Sequence, residues 1–103
     1  MRMNYTYIKQ EILDNWEQFE SNAYPHDLLD EFADSAVPVY SNEVIQDWQE
    51  MPSEFDDSAQ EFDIDPDATI VQRMSLDLFN YYRHQYQKAY NELAETMPAK
   101  EDN

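Results

Sequence analysis

Hydrophobic residues recur every three or four positions along most of the chain, which is the spacing of one buried helical face. In the first segment the apolar positions are Tyr5, Ile8, Ile12, Trp16 and Phe19. Acidic residues occupy the other face of the same segment. The pattern predicts a helix over about residues 5–22, which ends before Pro25 because a residue that precedes proline avoids the helical conformation.

Two shorter helices are predicted next. Pro25 suits the first turn of a helix over 25–37, and Asp27 complements the positive end of its dipole. Pro38 interrupts the apolar pattern, which resumes over 39–50. The chain therefore turns twice within its first half.

The last helix is predicted to be long. Asp65 is a good N-cap and Pro66 a good first residue for a helix over 66–95, which would extend about 45 Å. Residues 51–65 then form an acidic loop, and 96–103 form a flexible tail. Apolar positions recur every four residues in this helix: Ile70, Met74, Leu78, Tyr82, Tyr86 and Tyr90.

These elements predict an all-α fold, a single four-helix domain over residues 1–103 that forms an elongated homodimer. The chain of 103 residues contains no glycine and no cysteine. Because hairpins and phosphate-binding loops need glycine, its absence argues against both. No apolar run reaches membrane-spanning length and no secretory leader opens the chain, so we expect a cytoplasmic protein, in the host cell if a phage encodes it.

Acidic residues dominate the charge, with 23 Asp and Glu against 6 Lys and Arg, a net charge of −17. Between Gln10 and Gln72 there is no Lys or Arg. Disordered acidic chains are poor in aromatic residues, whereas 15% of this chain is aromatic, so we expect a folded domain. A folded surface of this charge repels nucleic acid and attracts basic proteins.

Carboxylates three and four residues apart on a helix lie about 5–6 Å from each other, so rows of them resemble a row of phosphates. We therefore interpret the acids as a surface that imitates DNA and binds proteins that bind DNA. The predicted binding acids are Glu11, Asp14, Glu17, Glu20, Asp27, Asp30, Glu31, Asp34, Glu43, Asp47, Glu50, Glu54, Asp56, Asp57, Glu61, Asp63, Asp65 and Asp67.

Other chemistry is weakly indicated. An EF-hand that starts at Asp63 would need glycine and glutamate where Ala68 and Met74 stand, so we expect no metal site and no cofactor. His26 and His84 are isolated, and the tyrosines of the last helix have the spacing of packed side chains rather than of a base-stacking platform. We expect no catalytic residues, although a carboxylate pair with an unrecognised enzymatic role stays a third alternative.

Residues 27–40, which end in ADSAVPVY, resemble the central segment of the Ocr-type phage antirestriction family, whose core reads AD-N-AVP-x-Y. A second similar block is Pro66-Asp67 followed by Val71 and Arg73. The resemblance covers about residues 5–95. The chain differs from the family at its end, where AKEDN stands in place of a run of glutamates.

The resemblance implies an all-helical dimer that mimics bent B-form DNA and occupies the DNA groove of Type I restriction–modification enzymes. By matching positions, it implies dimer contacts at Ile45, Trp48 and Val71, and Val44 joins them because helix 39–50 has more apolar residues than one buried face needs. The alternative is an acidic adaptor for another basic protein: a BREX component, a CRISPR effector, RNA polymerase or a nucleoid protein. DNA should compete with a mimic for its target, whereas an adaptor need not show this competition.

Overall fold

The computed structural model describes residues 4–55 and 67–96, and within these two ranges it is all-helical. The all-α prediction is therefore confirmed, with five α-helices in the described ranges instead of the four predicted. They are α1 (Tyr5–Asp14), α2 (Trp16–Ser21), α3 (Pro25–Ala36), α4 (Ser41–Glu50) and the long α5 (Ile70–Thr96), with a 3₁₀ turn at Ser53–Phe55. None of these helices is long and apolar enough to cross a membrane.

The first predicted helix is divided at Asn15. The Asn15 side-chain amide donates to the carbonyl of Glu11 at 2.8 Å, and its backbone N–H is shared between the carbonyls of Glu11 and Ile12 at 3.2 and 3.1 Å. Asparagine side chains compete in this way with regular helical bonding. The apolar face continues across the break, because Phe19 of α2 is buried in the same core as Ile12 of α1.

The last helix begins later than predicted. Asp65 and Pro66 lie outside the described residues, and residues 67–69 are not helical. The hydroxyl of Thr69 accepts from the backbone N–H of Gln72 at 3.1 Å, and the Gln72 side chain accepts from the Thr69 N–H at 2.7 Å. This reciprocal capping box satisfies two free N–H groups and fixes the start of α5 at Ile70.

Helix α5 is the central element, against which α1, α3 and α4 all pack. Helix α1 runs antiparallel to it: Tyr5 bonds to Glu92 near the far end of α5, whereas Glu11 bonds to Tyr86 six residues earlier. The predicted packing role of the α5 tyrosines is confirmed for Tyr82 and Tyr86, which are fully buried. The core contains Ile8, Ile12, Phe19, Leu29, Ala33, Val44, Met51, Leu78, Tyr82, Tyr86, Ala89 and Leu93.

Candidate partner-binding surface

Most described members of the predicted acidic set have exposed side chains. The exposed ones are Asp14, Glu17, Glu20, Asp27, Glu31, Asp34, Glu43, Glu50, Glu54 and Asp67. Five further members lie outside the described residues: Asp56, Asp57, Glu61, Asp63 and Asp65. The exposed carboxylates are distributed over α1, α2, α3, α4 and the 3₁₀ turn, and Asp67 precedes α5. Every helix of the first half of the chain therefore contributes exposed acids.

Helix α3 contains the clearest row. Asp27, Glu31 and Asp34 follow one another at steps of four and three residues, and all three are exposed. This spacing places neighbouring side chains on one face of the helix, about 5–6 Å apart at Cβ. These three residues therefore form an exposed carboxylate row on α3.

On α4 and the turn that follows it, the sequence spacing predicts a row of outward-facing acids formed by Glu43, Asp47, Glu50 and Glu54. The row is interrupted, because Asp47 is only 1% exposed. Its carboxylate accepts a hydrogen bond from the Tyr82 hydroxyl at 3.4 Å. The expectation that Asp47 lies on the outer face is wrong. The steps of three and four that define an inward face join Val44, Asp47, Trp48 and Met51. Asp47 therefore occupies a core position although its side chain is polar.

Two other predicted acids are partly buried and have internal partners. Glu11 accepts a hydrogen bond from the Tyr86 hydroxyl, and burial together with this bond raises the pKa of Tyr86 well above its usual range. Asp30 accepts from Arg83 Nε at 3.2 Å. Both carboxylates therefore help to hold the helices together and are less available to a partner than the exposed acids.

Three bases of the described chain are also engaged within the molecule. Besides Arg83, Lys9 Nζ lies 3.3 Å from Glu92 Oε1 and Lys88 Nζ lies 5.1 Å from the centre of the Tyr5 ring. The Tyr5 hydroxyl donates to Glu92 at 2.6 Å, and this bond, with a second from Lys9, lowers the pKa of Glu92. Sequence spacing does not reveal these pairs, since the partners are more than fifty residues apart.

The four residues predicted at a dimer interface differ in their surroundings. Val44 is 2% exposed and belongs to the core, so the argument that it exceeds the needs of the core is wrong. Val71 and Trp48 are half-buried and pack against the core, and Trp48 Nε1 also donates to Asp77 at 2.8 Å. Ile45 is half-buried and lies outside that cluster, which leaves it the best placed of the four to contact a second copy.

No group of three or more His, Asp or Glu side chains in the described ranges is arranged to hold a metal ion. The two histidines each lie near an aromatic ring. The ring centres of His26 and Tyr90 are 6.0 Å apart, and those of His84 and Phe55 are 5.4 Å apart. Asp63 and Asp65, which begin the stretch considered as an EF-hand, lie outside the described residues.

Comparison of the chain with protein-family models, with curated proteins and with solved structures finds no match. The resemblance of residues 27–40 to the antirestriction family therefore stays a prediction.

Proposed function

We propose that this protein is a non-catalytic inhibitor of a host DNA-binding defence enzyme, most directly a Type I restriction–modification enzyme. It presents carboxylates in place of DNA phosphates and occupies the groove in which the enzyme binds DNA. The observation that carries the proposal is the set of exposed acids on successive helices α1 to α4, with no Lys or Arg between Gln10 and Gln72. Ordinary soluble surfaces mix charges of both signs.

The dimensions and charge support this role. The molecule measures 53 × 26 × 22 Å, an elongated shape. A net charge of −17 spread along the longest dimension of 53 Å corresponds to one negative charge per roughly 3 Å. Duplex DNA has one negative charge per about 1.7 Å of its axis. The charge density is thus about half that of DNA, high enough to compete for a groove lined with Lys and Arg.

A second candidate function is an adaptor that binds a basic protein without taking the place of DNA. Val39 and Tyr40, in the connection between α3 and α4, are 90% and 69% exposed. Imitation of phosphates does not need exposed apolar side chains, so these two favour a partner that also contacts apolar surface. A BREX component, a CRISPR effector, RNA polymerase or a nucleoid protein would fit this alternative.

We further propose that the protein acts as a homodimer, with Ile45, Trp48 and Val71 near the contact. Pairing would lengthen the row of negative charge. Sedimentation at micromolar concentration and moderate salt tests this proposal. Ile45→Glu should convert the dimer to a monomer, and a monomeric unmodified protein would contradict the proposal.

The function is tested by capture of partners from a bacterial lysate on immobilised protein, at low and at high salt, with and without added duplex DNA. An inhibitor that mimics DNA should capture a DNA-binding enzyme that both salt and duplex release. Capture that duplex does not reduce would favour the adaptor. An enzymatic role would instead be indicated if removal of one carboxylate abolished activity without loss of binding.

A further inference from the structure

A shallow groove of about 290 Å³ lies between the end of α3 and the first half of α5. Its lining residues are Asp34, Val37, Gln72, Ser75, Leu76 and Phe79. Val37 and Phe79 pack against the core with part of their surface, whereas Leu76 is half-buried and lies outside the core cluster of the described residues. The groove thus has three apolar side chains that form its walls without filling it.

Further apolar surface lies close to this groove. Val39, 90% exposed, follows Val37 by two residues, so their Cα atoms are within about 7 Å of each other. Tyr40, the next residue, is 69% exposed. Single exposed apolar residues are common, but apolar residues that adjoin an apolar groove mark an interaction site.

The charges around the groove select the kind of partner. Asp34 lines it, and Glu31 and Asp27 continue the exposed carboxylate row of α3 away from it. None of the lining residues is basic; Arg73, the residue after Gln72, is not among them. A second copy of this chain would bring a similar acidic row against this one, and like charges that meet at an interface are unfavourable.

We propose that this groove binds one large apolar side chain of a Lys- and Arg-rich segment of the partner, while basic residues next to that side chain pair with Asp34 and Glu31. The proposal rests on the proposed function, since it takes the partner to be a basic protein. It adds that the surface distinguishes its partner from other polycations by an apolar anchor, which charge mimicry alone does not provide. Anchors of this kind in desolvated pockets contribute disproportionately to affinity.

The test uses three synthetic pentapeptides and the isotope-labelled protein in NMR titrations. The first has leucine between two pairs of lysines, the second has serine at the centre, and the third has leucine between two pairs of glutamates. The leucine–lysine peptide should bind about tenfold more tightly than the serine–lysine peptide, which corresponds to burial of most of a leucine side chain. It should shift the amide signals of Val37 and Leu76, and the glutamate peptide should not bind.

Leu76→Ser removes one wall of the groove and should reduce the leucine preference to less than about twofold, with the affinity for the serine–lysine peptide unchanged. Leu13→Ser is the matched control, because Leu13 is 41% exposed on α1 beside a different groove. This control should keep the preference. If Leu76→Ser lowers the melting temperature, Val39→Ser in the exposed connection replaces it and should also reduce the preference.

Equal affinity of the two lysine peptides would overturn this inference and leave the charge-based function standing. A leucine preference that Leu76→Ser and Val39→Ser leave unchanged would also overturn it. Failure of both lysine peptides to bind would overturn the proposed function as well. A dimer that dissociates on Leu76→Ser would show that a second copy occupies the groove, and would overturn the choice of partner.

Discussion

Arg83 on α5 lies 3.2 Å from Asp30 on α3, and this ion pair joins a base of the last helix to an acid of the proposed binding surface. Both side chains are partly exposed, at 33% and 41%. The pair therefore contributes little to stability, about 0–1 kcal/mol. Its larger effect is to neutralise one carboxylate that the partner would otherwise contact.

Arg83→Gln should consequently strengthen partner binding by up to about twofold at low salt, since Asp30 becomes available to the partner's bases. Isothermal titration with the captured partner measures this change. Lys88→Gln is the matched control: it alters the net charge equally, but Lys88 lies over the Tyr5 ring. Equal gains in the two variants would mean that net charge, and not the release of Asp30, determines affinity.

The hydrogen bond from Trp48 Nε1 to Asp77 Oδ2, 2.8 Å long, links α4 to α5 at a carboxylate that is 5% exposed. Trp48→Phe removes the donor and should lower the free energy of unfolding by about 1–3 kcal/mol, because the buried carboxyl group of Asp77 loses a hydrogen-bond donor. Urea denaturation measures the loss. Trp16→Phe is the control, since the buried Trp16 Nε1 has no hydrogen-bond partner in the described structure. If Trp16→Phe lowers the free energy of unfolding as much as Trp48→Phe does, the loss comes from packing and not from the hydrogen bond.

Alkaline pH should destabilise the fold through Tyr86. Burial and the bond to Glu11 raise the pKa of this tyrosine, whereas in the unfolded chain it ionises near pH 10. Above pH 10 the folded state therefore holds a proton that the unfolded state has lost, so stability decreases as pH rises. Tyr86→Phe should reduce this decrease, and Tyr24→Phe, at a position 70% exposed, should not.

Unfolding measured by denaturant from pH 8 to 11 tests the Tyr86 prediction. Tyr5 also has a raised pKa and still destabilises the fold at alkaline pH in the Tyr86→Phe variant. In this variant the free energy of unfolding should therefore fall less steeply with pH, but it should still fall. Identical slopes for Tyr86→Phe and the unmodified protein would contradict the role assigned to Tyr86.

The spacing of hydrophobic residues predicts the helices well. It does not predict burial where one residue fits two patterns. Asp47 fits both a row of acids and the inward face that Val44 and Met51 define. The packing of α4 against α5, where Tyr82 donates a hydrogen bond to Asp47, decides that this residue is buried. The start of α5 could have been predicted, because Thr69 and Gln72 have the spacing of a capping box. The preference of proline for the first turn of a helix instead led to a predicted start at Pro66.

The ion pairs and the groove could not be predicted in the same way. Arg83 and Asp30 are 53 positions apart in sequence, and nothing in the spacing of either residue identifies the other. Similarly, Leu76 follows the apolar pattern of a helix that is buried along most of its length. It borders an open groove because α3 ends at Ala36.

Replacement of the exposed acids Glu43, Glu50 and Glu54 by Gln should weaken partner binding by about three- to eightfold, whereas each single replacement should change it less than about twofold. Asp47 is left intact because it is buried. Glu95→Gln, an exposed acid of α5 outside the proposed surface, is the control for a single charge. A single replacement that abolished binding would contradict a distributed surface and indicate a discrete site.

Salt should affect binding and folding in opposite directions. Added salt screens the repulsion among the acids and should raise the melting temperature between low and moderate salt. It should weaken partner binding, with a smaller dependence on salt than the same enzyme shows for duplex DNA, because the protein has about half the charge density of DNA. A melting temperature that falls with salt would contradict mutual repulsion as the dominant effect.

The central claim is that this surface takes the place of DNA on an enzyme that binds DNA. Its most direct test is a competition assay, in which the anisotropy of a fluorescent duplex bound to a Type I restriction–modification enzyme is followed as the protein is added. We expect complete release of the duplex, with an inhibitory concentration that increases linearly with the duplex concentration. A ternary complex, or a duplex that stays bound at saturating protein, would contradict the claim.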